Sequence, residues 1–77
     1  MNMEKRIFDK KWFNGDKILG LRFKRNDLVI VLEGEHEDKA GRILELYKWD
    51  DEPIYIIELT QEPYGEHQFE QNNLTLM

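Results

Sequence analysis

Leu28-Val29-Ile30-Val31-Leu32 is the stretch on which the fold turns. It is a continuous aliphatic run with a β-branched centre, too short for a helix, and it suits a well-buried strand. Asn26-Asp27 precedes it and Glu33-Gly34 follows, both turn-forming pairs. Moving outward, Arg42-Ile43-Leu44-Glu45-Leu46-Tyr47-Lys48-Trp49 predicts a second strand, closed by Asp50-Asp51-Glu52-Pro53. The proline there cannot donate to a sheet. Ile54–Leu59 predicts a third strand, and the short polar connection between the two makes them an antiparallel hairpin.

Further on, Gln61-Glu62-Pro63-Tyr64-Gly65 is a turn, and Glu66–Glu70 alternates as a half-exposed strand does. Gln71-Asn72-Asn73 offers one helical or turn-like step before a last strand at Leu74-Thr75-Leu76. Short strands with turn signals at this spacing predict an all-β fold. Upstream, Ile7, Phe8, Trp12, Phe13, Ile18, Leu19, Leu21 and Phe23 fit neither the helical nor the strand period. Asn14-Gly15 between apolar stretches is a strong hairpin signal, so Ile7–Phe13 and Lys17–Phe23 are expected to pair, with a short helix over residues 4–12 as the rival.

The chain of 77 residues has room for one core, since a second would need roughly another 50 residues. It contains no cysteine, which removes disulfides and thiolate metal sites and fits a reducing, cytoplasmic setting. Neither a secretory h-region nor a membrane-spanning apolar stretch is present in it.

The segment from Asp27 to Leu46 resembles the KOW motif of certain ribosomal proteins and transcription-elongation factors. Gly34 and Gly41 stand at the motif's spacing, with Val29, Val31 and Ile43 on the flanking strands. The resemblance implies a small SH3-like barrel of about five strands over residues 26–77, with residues 1–25 added as a basic extension, hairpin or short helix. It also implies a basic loop between the glycines that lies against RNA or a protein. Here that loop holds Glu35, Glu37 and Asp38 with Lys39 as its one lysine, and Asp38 stands where glycine is common. Such a loop is poorly suited to neutralising phosphates.

Charge divides along the chain. Residues 1–25 hold eight basic and three acidic side chains, a net +5, whereas residues 26–77 hold three basic and thirteen acidic ones, a net −10. The acidic part would repel a polyanion and steer a basic protein toward it. Tyr47 and Trp49 share one strand face by alternation, so if Leu44 and Leu46 face inward the two rings face out beside Asp50, Asp51 and Glu52. The candidate partner-binding residues are therefore Glu35, Glu37, Asp38, Tyr47, Trp49, Asp50, Asp51 and Glu52, with Gly34 and Gly41 as turn residues.

Catalysis has little to work with. The chain has no cysteine and no serine, its two threonines lie at strand ends, and no glycine loop is spaced to cradle a phosphate. His36 and His67 lack the fixed spacing of helical zinc motifs, and Asp50-Asp51-Glu52 lacks the glycine and distal glutamate of a calcium loop. No cofactor or metal is expected. The reading that follows is a non-enzymatic protein-interaction module with an acidic face, such as an immunity or antitoxin-type inhibitor of a basic toxin. An RNA- or ribosome-associated protein using the basic residues of positions 5–25, and an accessory subunit of a larger complex, are the alternatives.

Overall fold

The computed structural model describes residues 10–16, 18–49 and 51–77. Five strands follow in chain order: β1 (Leu28–Val31), β2 (Ala40–Lys48), β3 (Ile54–Leu59), β4 (Gly65–Glu70) and β5 (Leu74–Leu76). A 3₁₀ turn, Gln71–Asn73, separates the last two. They form one antiparallel sheet in the order β4-β3-β2-β1-β5. The expected all-β class and the five strands read from residues 28–76 are present; the sheet ends at β4 on one side and β5 on the other, so hydrogen bonding does not close it into a barrel.

The segments flanking Gly34 and Gly41 lie side by side, with Leu28 opposite Arg42 and Ile30 opposite Ala40. Gly34 has φ +98°, and Asp38, where glycine would be easier, has φ +68°. Gly41 is required for a different reason: a Cβ there would sit 2.5 Å from Ile57 Cγ2 and 2.9 Å from the Glu58 carbonyl oxygen. The close approach of β3, not backbone freedom, fixes that glycine.

Strand β2 is not regular. Its register against β3 shifts between Ile43 and Glu45 and again between Leu46 and Lys48, so that Leu44 and Tyr47 are extra residues on the bulged strand. Each bulge turns the following side chains over. Ile43 is therefore fully buried and Leu46 packs against the core although they are three residues apart, which simple alternation forbids.

The Asn14-Gly15 pair ends a helix; it does not join two strands. Residues 10–13 are helical, and Asn14 N–H still donates to the Lys10 carbonyl at 3.0 Å. Gly15, with φ +89°, donates to Trp12 O, and Asp16 donates to Lys11 O, both at 2.9 Å. That bond pair is the Schellman termination, which needs the same left-handed residue that a hairpin turn does. Lys17–Phe23 contains no strand among its described residues; Ile18 to Leu21 is a turn closed by Leu21 N–H on Ile18 O at 3.1 Å. Of the expected hairpin and its rival helix, the portions over residues 4–9, and Lys17, lie outside the described residues.

This N-terminal strap is docked by its aromatic rings. Trp12 and Phe23 are buried with Val29, Val31, Ile43, Tyr55, Ile57, Leu59, Phe69 and Leu74 in one core. Tyr55 sits between them, 6.2 Å from the Trp12 ring and 5.5 Å from Phe23, the latter edge-on. Trp12 Nε1 donates to the Phe23 carbonyl at 2.9 Å, which satisfies the buried indole.

Candidate functional site

Gln71 is the one buried polar residue among those described, and it explains how the strap meets the sheet. Its Oε1 accepts from the Tyr55 hydroxyl and from Arg22 N–H, at 2.5 and 2.9 Å, while its Nε2 donates to Gly20 O at 3.1 Å. Its own backbone N–H donates to Pro53 O at 2.7 Å. One residue thus ties residues 20–22, β3 and the turn before β3 together. Burial pushes the Tyr55 hydroxyl up to about 12.

At that junction lies a cleft of about 350 Å³, lined by Leu19, Leu21, Trp49, Asp51, Glu52 and Pro53 together with Gln71 and Asn72. A second cleft, of about 560 Å³, shares Asp51 and Glu52 and is completed by Lys48, Ile54 and Glu70. The two adjoin at Asp51 and Glu52 and together are called the groove, whose lining mixes apolar residues with three carboxylates and Lys48. Leu19, at the apex of the strap's turn, is fully exposed beside it. Glu52 is more than a solvated turn residue. Its carboxylate accepts from Asn72 N–H at 2.9 Å and from Asn72 Nδ2 at 2.6 Å, anchoring the 3₁₀ turn to the β2–β3 connection.

The sequence-predicted residues fall into two groups that the fold separates. Tyr47, Trp49, Asp51 and Glu52 stand at the C-terminal end of β2, with Tyr47 half-exposed at 55% and Trp49 half-buried on the groove. The bulge at Tyr47 replaces the simple alternation from which the two rings were expected to share a face. Asp50 lies outside the described residues. Glu35, Glu37 and Asp38 lie in the β1–β2 loop, at the other end of the nine-residue β2. They are exposed but do not join the groove. Glu70, Leu19 and Leu21 belong to it and were missed, because only the β3–β4 pairing and the docking of the strap bring them there.

The β1–β2 loop instead folds toward β4 through its histidine. The His36 and His67 rings are 4.7 Å apart, and His36 meets the buried Phe69 edge-on at 5.9 Å. The expected alternation of His67 with Phe69 places both on one face, and His67 is half-buried as that alternation implies.

The basic residues described at the N-terminal end, Lys10, Lys11, Arg22, Lys24 and Arg25, are all exposed. Lys5, Arg6 and Lys17 lie outside the described residues. Arg22 is engaged with the Asn72 side chain at 2.5 Å.

The chain matches no protein-family model and no curated protein sequence. The fold defines its class as a small all-β domain of five antiparallel strands. Among the described residues, no helix is long and apolar enough to cross a membrane.

Proposed function

We propose that this chain is a non-enzymatic protein-interaction module of SH3-like form, whose groove at the C-terminal end of β2 takes a basic segment of a partner protein. The observation that carries this reading is the pair of clefts that share Asp51 and Glu52, one lined also by Leu19, Leu21, Trp49 and Pro53 and the other by Glu70, Ile54 and Lys48. The carboxylates attract Lys or Arg and raise the rate of encounter, and a half-buried indole with aliphatic neighbours anchors an apolar side chain. The strand order and the 3₁₀ turn ahead of β5 support the SH3-like form. The likeness of Asp27–Leu46 to a KOW motif agrees with it at the level of fold, and the acidic loop argues against RNA at that loop.

An inhibitor that neutralises a basic toxin is the kind of protein for which such a groove is suited, because charge complementarity delivers both speed and specificity. The test is affinity capture from the native host at low salt with the wild-type chain and with an Asp51→Asn/Glu70→Gln variant. A basic protein held by the wild type, released by salt and lost by the variant is the expected result. Equal retention by both chains, or retention indifferent to salt, refutes the reading.

A further inference from the structure

The exposed face of the strap is chemically opposite to the groove. Phe13 is 50% exposed, and the Arg25 guanidinium carbon lies 4.0 Å from the centroid of its ring. Arg25 is itself exposed, so ring and guanidinium form a stacked pair open to solvent. Lys10 is three residues before Phe13 on the same helical turn and therefore on its side of the helix, and Lys24 adjoins Arg25; both are exposed. The core holds the two segments together, since Trp12 and Phe23, the neighbours of Phe13 and Lys24, are joined by the indole hydrogen bond. Three carboxylates border this side: Glu45 lines a small cleft of about 100 Å³ with Trp12, Phe13 and Leu46, Asp16 lines another with Trp12 and Lys24, and Asp27 accepts from the Lys24 backbone N–H at 2.8 Å.

From this geometry we infer that Phe13, Arg25, Lys10 and Lys24 form a second binding surface, for single-stranded nucleic acid. A cationic stem alone would suit any polyanion. An exposed ring layered with a guanidinium adds flat π-surface of the sort on which unpaired bases stack, and lysines on both sides meet the phosphates. The surface is built from the strap and not from the acidic β1–β2 loop, whose His36 packs on β4 and whose charge argues against phosphate contact. It is independent of the groove, so either surface can fail its test alone.

The experiment is fluorescence anisotropy of a labelled oligo(dT) of about 10 nucleotides with the full chain, from about 50 to about 200 mM salt. Saturable binding that weakens with salt is expected. Phe13→Ala and Arg25→Ala should each weaken it roughly tenfold, the scale of one lost stacked base. Phe13→Leu keeps an apolar side chain and should lose nearly as much, while Glu45→Gln should tighten binding several-fold. Tyr64→Ala, which removes an exposed ring that belongs to neither surface, should leave it at the wild-type value. Absence of binding at the lowest salt, wild-type affinity in Phe13→Leu, or displacement by heparin equal to that by unlabelled oligo(dT) overturns the proposal.

Discussion

The strap of residues 10–25 and the sheet of residues 28–76 are built on different principles. In the sheet, the strands are marked by local apolar runs: Ile54–Leu59 is one, and pairing on both sides then buries Tyr55, Ile57 and Leu59 and leaves the residues between them half-buried. The strap carries no period, because it is held at separate points by groups that the sheet supplies: a socket for Trp12 and Phe23 and the amide of Gln71. Local pattern makes the first region, and long-range contact makes the second. The groove lies where they meet, with Leu19 and Leu21 from one and Trp49, Glu52 and Pro53 from the other. Its existence therefore depends on docking of the strap.

The largest effect should come from removing the socket's occupant. Trp12→Ala should cost about 3–5 kcal/mol, since it empties a buried indole's volume and orphans the Phe23 carbonyl. In a domain this small that is a large share of the total stability, so the denaturant midpoint should fall steeply. Gly41→Ala comes next, at roughly 1–3 kcal/mol, because the new methyl meets the Glu58 carbonyl oxygen and Ile57 in the sheet itself. Unfolding curves of the two variants, with the strap's opening followed separately by amide exchange, should show Gly41→Ala weakening the sheet as a whole. Equal protection of residues 20–22 in Trp12→Ala and wild type would break the distinction between the regions.

Smaller effects sharpen it. Gln71→Ala leaves Arg22 N–H, Tyr55 Oη and Gly20 O without their partner and should cost about 2 kcal/mol, with the loss centred on the strap. Tyr55→Phe removes one donor from Gln71, which keeps Arg22 N–H, and should cost about 1 kcal/mol. The same hydroxyl sets a pH dependence. Burial raises it to about 12 in the folded chain, against about 10 for an unfolded tyrosine. The folded state then keeps a proton that the unfolded state releases. Stability is full below about pH 10 and declines as pH rises toward about 12, and that decline should be absent in Tyr55→Phe. An unchanged alkaline slope in the variant would place the titrating group elsewhere.

This contrast also decides what could be read from the sequence. β1, β3 and the turn-like step before β5 were legible because a β-branched run, an apolar run bounded by turn residues and a polar triplet are local signals. The two bulges in β2 were not, as nothing in Arg42–Trp49 marks which residue will be extra until β3 pairs with it. Asn14-Gly15 misled for a physical reason: a left-handed glycine serves a helix terminus and a hairpin equally, and the choice rests on whether Trp12 finds its socket. For the groove, the acidic turn and Trp49 were visible as a local cluster. Glu70 and Leu19 were not, since they arrive from 20 residues downstream and 30 upstream through strand pairing and strap docking. The carboxylates of the β1–β2 loop looked equivalent to those after β2 in the sequence, and only the length of β2 shows that they serve a different end of the molecule.

The central claim, that the groove is the binding surface for a basic, apolar-anchored segment, is tested most directly by a two-dimensional NMR titration of the ¹⁵N-labelled chain with a short peptide containing arginine and leucine. The account predicts saturable shifts confined to the groove, at Leu19, Leu21, the Trp49 indole, Asp51, Glu52 and Glu70, reduced by salt and by Asp51→Asn/Glu70→Gln. Shifts spread evenly over all exposed carboxylates, the β1–β2 loop included, or none at saturating peptide, would contradict it.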